Sequence, residues 1–375
     1  MTNIAVDRKW MRMALRIAEK GRPHPNPPVG ALVILNEAVI ARGWHDGPGT
    51  PHAEQMALDA CRGKAAGATL YVTLEPCCHT VGRDGCPRVP CWQRCVDAGV
   101  SRIVIACEDV DPRTAGRGIQ QLRDHGIHVD VGLLSEEAVR QQRGFRSLQA
   151  AGRPFVTHKV ATTLDGHIAC EGGDSRWITG EKARRAVHRL RAESDAVIVG
   201  VGTIIADDPD LTVRSVPLPS GRQPRAVVFD RTLRMPVNAK IVRPGTVVVT
   251  TSDAAPTQKR ALEDMGCHVI ALDVDKYSIG NILPLLADIG MGIVLLEAGG
   301  TLASEFYRAR CVDEVQWFVA PKVVGGGNAP VGLSGPPLAT LMNSAIELTQ
   351  MQVHRYGVDV RITGRPVWEG REAEN

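Results

Sequence analysis

The sequence predicts an α/β protein of two domains, and three observations carry that prediction. Short apolar runs of strand length alternate with stretches of helical periodicity along most of the chain. At 375 residues the chain has room for two domains of about 100–200 residues each. The pattern halts at 144–154, GFRSLQAAGRP, which has no strong apolar period and ends in Gly152-Arg153-Pro154, and then it restarts. The domains are placed at 1–148 and 149–375.

Each element follows from local pattern. Val6, Trp10, Met13 and Ile17 are spaced for one face of a helix, which the prolines of 23–28 stop. Residues 29–35 and 38–44 read as two strands about a tight Asn36-Glu37 turn. A helix is expected over 52–60, and a strand over 69–74 that ends at Glu75-Pro76. Then come a helix over 91–97, a strand over 103–106, a helix near 119–125 and a short strand at Val129. That order suggests a layered α/β fold. Beyond the boundary, strands are expected at 156–161, 196–200, 225–229, 246–250, 267–272, 292–296 and 315–320. Helices at 180–193, 257–265, 281–289 and 301–310 separate several of them, which implies a mostly parallel core.

Composition excludes some classes of function. A net charge of +3 is too small to favour a nucleic-acid or membrane partner. Aromatic residues make up 4%, so a base-stacking surface is not expected either. No run approaches the roughly 18–20 apolar residues of a membrane span. Asp7, Arg8 and Lys9 stand where a signal peptide would have its apolar core, so a cytoplasmic chain is expected. In that compartment ten cysteines favour free thiols or metal ligands over disulfides, and six of them fall between Cys61 and Cys95.

Within that cluster lies a chemical pattern. Pro51-His52-Ala53-Glu54 opens a predicted helix, and Leu74-Glu75-Pro76-Cys77 ends a predicted strand. H-x-E followed by P-C-x-x-C marks zinc-dependent base deaminases. A neutral histidine and two thiolates balance Zn2+ and leave a fourth position for water, whose pKa the metal lowers to about 7. A carboxylate beside the metal can carry the proton from water to the departing nitrogen, and Glu54 fits that role. Three residues after Cys77 stands Thr80, which cannot replace a thiolate, so the third ligand is Cys78, Cys86 or Cys91. Adjacent residues rarely converge on one tetrahedral centre, which disfavours Cys78. Cys91 opens a predicted helix, whose dipole and free N–H groups stabilise a thiolate; it is preferred, with Cys86 second. Cys61, Cys95 and Cys107 read as core thiols.

These stretches resemble the bifunctional riboflavin-biosynthesis deaminase–reductases, over nearly the whole chain. The first domain matches in HPNPPVGALV (24–33), GWHDGPGTPHAE (43–54), YVTLEPCCH (71–79) and DPRTAGRG (111–118). The family's segment between the cysteine ligands is shorter, so VGRDGCPRVPC (81–91) contains an insertion. Counting back from Gly99, as the family pattern does, selects Cys91. The resemblance implies a cytidine-deaminase-like three-layer domain and a pyrimidine ribosyl phosphate substrate that loses its 2-amino group. It implies that Asn26 and His45 hold the pyrimidine and that Arg83 lies near the phosphate or ring edge.

The second domain matches in KVATTLDGHIA (159–169), SRWITG (175–180), VGTIIADDPDLTVR (201–214), LLEAGGTLASEF (295–306) and APKVVGGG (320–327). The family implies a dihydrofolate-reductase-like fold, NADPH, and reduction of the ribosyl group to a ribityl chain. No G-x-G-x-x-G stands in a strand–helix context, which fits another kind of cofactor site. Glu297-Ala298-Gly299-Gly300-Thr301 joins a buried strand to a helix, where glycines and helix N–H groups can meet a phosphate. Thr203, Asp207, Asp208 and Arg214 are expected on a loop after another buried strand, with Arg214 suited to a phosphate. By resemblance, Ser175, Arg191, Thr203, Asp207, Leu211, Arg214 and Glu297 contact substrate. Ala161, Trp177, Thr203, Gly299, Gly300, Thr301, Leu302, Ala303, Ser304 and Glu305 contact NADPH. Lys159 and Asp207 are the candidates for moving protons at the sugar. The family also suggests a homo-oligomer, dimer or tetramer, through the reductase half.

Two rival readings remain. A tRNA or nucleoside deaminase with an unrelated appended domain would show a basic face, which the modest charge disfavours. A non-catalytic zinc scaffold would close its site with a fourth protein ligand.

Overall fold

The computed structural model describes residues 4–82 and 85–368, and divides into two compact units, Met1–Gly152 and Arg153 onward, Pro219–Gly221 excepted. The division falls inside the expected boundary stretch, between Gly152 and Arg153. That stretch forms a helix that closes the first unit, and Gly152 ends that helix in the left-handed conformation at φ 64°.

The first unit runs α1 (Ile4–Ala18), β1 (Gly30–Leu35), β2 (Ala38–Trp44), α2 (Ala53–Ala60), β3 (Thr69–Val72), α3 (Cys91–Asp97), β4 (Arg102–Ile105), α4 (Arg117–Asp124), β5 (His128–Val131), α5 (Ser135–Gln141) and α6 (Arg143–Ala151). Its sheet is ordered β2-β1-β3-β4-β5, with β1 antiparallel to both neighbours and β3, β4 and β5 parallel. Asn36 and Glu37 both take positive φ, 49° and 60°, as a two-residue hairpin requires. Helices α2, α3 and α4 pack in one row and α1 meets α5 in another, which makes three layers. The buried face of α1 is Trp10, Met11, Ala14, Leu15, Ile17 and Ala18. Val6 lies outside that face, so the expected stripe was displaced around the helix.

The second unit runs β6 (Phe155–Thr163), α7 (Glu181–Ala192), β7 (Ala196–Gly200), α8 (Val201–Asp207), β8 (Arg225–Phe229), β9 (Val247–Thr251), α9 (Pro256–Asp264), β10 (His268–Leu272), α10 (Ile279–Asp288), β11 (Ile293–Leu296), α11 (Gly300–Arg308), β12 (Glu314–Ala320), β13 (Leu348–Tyr356) and β14 (Asp359–Pro366). Its sheet is ordered β10-β9-β8-β7-β11-β6-β12-β14-β13. The pairs from β10 to β12 are parallel, and β14 and β13 add an antiparallel edge. Strand β7 shows why such strands read as unbroken apolar runs. Ala196 and Ile198 enter one core with Phe306, whereas Val197 and Val199 enter another with Ile204 and Leu262.

Candidate active sites

The first site is built where α2, α3 and the turn after β3 meet. Helix α2 lies against β2 closely enough that a Cβ on Gly43 would fall 2.1 Å from the Ala53 carbonyl oxygen. That approach sets His52, the residue before the helix, and Glu54 in its first turn. Cys91 opens α3 as expected, and Cys77 lies on the turn after β3. The ring Nδ1 of His52 lies 3.5 Å from Cys77 Sγ and 3.3 Å from Cys91 Sγ.

All three donor atoms fall within 4.8 Å of one another. One imidazole and two thiols in that spacing fit zinc with a position left for water. Contact with Cys91 and His52 pulls the Cys77 thiol well down, while Cys77 and burial push Cys91 up, so the pair shares its protons unequally. Glu54 is 3% exposed, and burial raises its carboxyl to about 7. Cys86 is exposed and stands outside the trio, and Cys61, Cys95 and Cys107 are buried thiols.

Asn26 and His45 are brought together beside this cluster. Asn26 Nδ2 lies 2.9 Å from His45 Nε2, and His45 Nδ1 lies 3.1 Å from the Pro51 carbonyl. Burial lowers His45 to about 4, so the ring is neutral. Its Nδ1–H then donates to Pro51, which leaves Nε2 to accept from Asn26. The His45 and His52 ring centroids are 5.1 Å apart. Arg83 lies outside the described residues. Sequence reasoning missed Arg88, whose Nη2 lies 3.2 Å from both ring nitrogens of His52 and 3.8 Å from Cys77 Sγ. The only available signal was a second arginine in the inserted segment.

The second site gathers around Glu297. Strands β11 and β6 pair Leu296 with His158, so the next residues, Glu297 and Lys159, stand side by side. Lys159 Nζ is 3.6 Å from Glu297 Oε2. Arg191 on α7 places Nε 2.6 Å from Oε1 and Nη2 3.1 Å from Oε2, a bidentate pair. Burial pushes Glu297 up, but Arg191 and Lys159 outweigh it and hold the carboxyl at about 2. Lys159 is mid-strand and half-buried.

Several expectations change here. Thr203 and Asp207 lie on α8, not on a loop, and Asp208 ends that helix at φ 41°. Leu211 is buried in the core at 4% exposure. Arg214 is exposed and 3.2 Å from Asp210. Ser175 and Ala161 are half-buried, and Trp177 is exposed with the Arg184 guanidinium 4.5 Å from its ring centre. Gly299 and Gly300 begin α11, with Thr301 and Leu302 in its first turn. The run from 299 to 305 cannot present one continuous surface, because a helix turns every 3.6 residues. Ala303 and Ser304 are buried, and Ser304 Oγ accepts from Ser334 N at 3.0 Å. Glu305 points its carboxylate to Arg308 at 2.6 Å.

Comparison with known proteins bears on both sites. Residues 4–107 match the model of the cytidine and deoxycytidylate deaminase zinc-binding region, and residues 154–362 match that of the RibD C-terminal domain. The chain is 39% identical over 327 residues to riboflavin biosynthesis protein RibD of Aquifex aeolicus, covering 86% of this chain and 89% of that one. It superposes on RibD of Acinetobacter baumannii, form 1, with a TM-score of 0.80 at 35% identity, covering 98% of this chain and 100% of the other. It superposes on a diaminohydroxyphosphoribosylaminopyrimidine deaminase/5-amino-6-(5-phosphoribosylamino)uracil reductase of Thermotoga maritima with a TM-score of 0.78 at 34% identity, covering 97% and 99%. Among the described residues, no helix is long and apolar enough to cross a membrane.

Proposed function

We propose how this chain, which belongs to the RibD family of riboflavin-biosynthesis proteins, divides two reactions between its two sites. As a family member it is a bifunctional enzyme, a zinc-dependent deaminase and an NADPH-dependent reductase. Its substrates are taken to be those in the name of the Thermotoga maritima relative: a diaminopyrimidine ribosyl phosphate, then its deaminated product.

At the first site His52, Cys77 and Cys91 would hold the metal. Zinc, when bound, supplies Lewis acidity that makes water nucleophilic near neutral pH. Glu54, buried and raised toward neutrality, takes the water proton and passes it to the departing 2-amino nitrogen. Asn26 and His45, locked to each other, hold the pyrimidine edge. Arg83 would serve the phosphate or ring edge, and Arg88 joins it as a second cation at the site. At the second site NADPH supplies the hydride. Lys159 and Asp207 manage the proton that the sugar oxygen gains as the ring opens. Ser175, Thr203 and Arg214 would hold the ribose phosphate, with Arg191 and Glu297 framing it. The first turn of α11 and Ala161 and Trp177 would line the cofactor.

The observation that carries this reading is the convergence of His52, Cys77 and Cys91, with Glu54 two residues after His52 in the first turn of α2. The test is zinc content, ammonia release from the diaminopyrimidine, and NADPH oxidation with the deaminated product, all on purified full-length protein. Ammonia release without NADPH turnover would return the second domain to an unrelated role. We further place the chain in the cytoplasm as a homo-oligomer joined through the reductase half. In support, β13 is an edge strand whose Met351 and Val353 are 56% and 66% exposed.

A further inference from the structure

The segment that carries Cys77 is gripped by one buried carboxylate. Glu75 is 2% exposed. Its Oε2 accepts from the backbone N–H of Asp109 at 3.2 Å and of Gly116 at 3.0 Å, and its Oε1 accepts from Ile119 N–H at 3.1 Å. Its own N–H donates to the Cys107 carbonyl at 3.0 Å. The next residue is pinned as well: a Cβ on Gly118 would fall 2.1 Å from the Pro76 carbonyl oxygen, so only glycine lets α4 come so close. On the far side of Cys77, His79 Nε2 lies 3.9 Å from Asp111 Oδ2. Residues 107–119 therefore hold the chain immediately before Cys77 and meet it again two residues after.

The residue type matters. Three N–H groups converge on the side chain, and a carboxylate meets them with two acceptor oxygens. A glutamine would offer one oxygen and aim its NH2 at a remaining N–H. Nothing in the proton chemistry of either reaction uses Glu75.

We propose that Glu75 is a positioning residue for Cys77. By tying its own turn to 107–119 it fixes the Cys77 sulfur 3.5 Å from His52 Nδ1. This rests on the reading of His52, Cys77 and Cys91 as the metal donors. A mere buttress would govern only the stability of the first unit. A positioning residue also governs how firmly the three donors hold zinc, and how well the chemical step proceeds, at constant fold.

The test uses full-length zinc-loaded protein carrying Glu75→Gln, Gly118→Ala or Cys77→Ala. Zinc release to a chromophoric chelator, kcat and KM of deamination at saturating zinc, melting temperature, and NADPH turnover are measured. Losing a partner that orients a ligand costs roughly 10–100-fold in metal affinity or activity. Glu75→Gln and Gly118→Ala should therefore speed zinc release by about that factor. They should lower kcat more than they raise KM, and leave NADPH turnover unchanged. Gly118→Ala keeps the carboxylate, so it decides the matter if Glu75→Gln does not fold. Lower melting temperatures with wild-type zinc release and kcat would overturn the inference and leave a buttress. If Cys77→Ala loses zinc while the other two hold it normally, positioning alone fails. If Cys77→Ala keeps zinc, the donor assignment fails first.

Discussion

Replacing Glu297 by glutamine tests the second site through stability as well as turnover. The side chains of Glu297 and Arg191 are 10% and 13% exposed, so water screens their pairing weakly. The carboxyl is held at about 2 against an ordinary 4.5. At 1.36 kcal/mol per pH unit that difference is worth about 3 kcal/mol. Breaking a buried pair by neutralising one member costs about 3–5 kcal/mol, which agrees. A depressed carboxyl stabilises fully above its unfolded value and loses that contribution as pH falls through its folded one. Glu297→Gln should therefore lower the melting temperature of the second unit at pH 7 by roughly 6–12 °C, taking about 2–4 °C per kcal/mol for a domain of this size. The gap should hold from pH 8 to about 5.5 and shrink toward pH 3. Calorimetry of full-length protein across that range measures it, with NADPH turnover alongside. Turnover should fall, because Lys159 loses the partner 3.6 Å away. A variant as stable as wild type at pH 7, or a gap that widens on acidification, would refute the reasoning.

Other consequences can be checked on the same protein. Cys91→Ala should release zinc while Cys86→Ala keeps it, because Cys86 is exposed and outside the trio; metal analysis after desalting decides, and the reverse result would move the third ligand to Cys86. Glu54→Gln should retain zinc yet lose deamination by about 10²–10⁴-fold in an ammonia-release assay, whereas full activity would favour the scaffold reading. Arg88→Ala should raise KM for the diaminopyrimidine by roughly tenfold, the loss of about one charge-assisted hydrogen bond, and leave the reductase untouched; an unchanged KM removes Arg88 from the site.

Much of the first site was legible because its signal is local. His52 and Glu54 share one helix start, and the helix over 91–97 was expected with Cys91 at its first position. Glu75 was not legible, since its partners are backbone N–H groups 34 to 44 residues away. Its neighbours in TLEPC point only to the ligand that follows.

In the second unit the failures have a common cause, tertiary packing overriding local preference. Val201, Gly202, Thr203, Ile204 and Ile205 are poor helix formers, yet α8 forms because Val201 and Ile204 bury against the core beside β7. Strand β13 buries little of itself, since seven of its nine positions are exposed, and it exists through its pairing with β14. The pairing of Lys159 with Glu297 is the converse case. Each residue sits at a recognisable place, one in a buried strand and one just past another, but only the parallel register of β6 and β11 makes them neighbours. Register is set by the whole sheet, so a sequence can name both residues without showing that they act as one unit. Glu297 is the shared partner of Lys159 and Arg191, which makes the three one charge network, and that is why its charge and its stability have to be tested together.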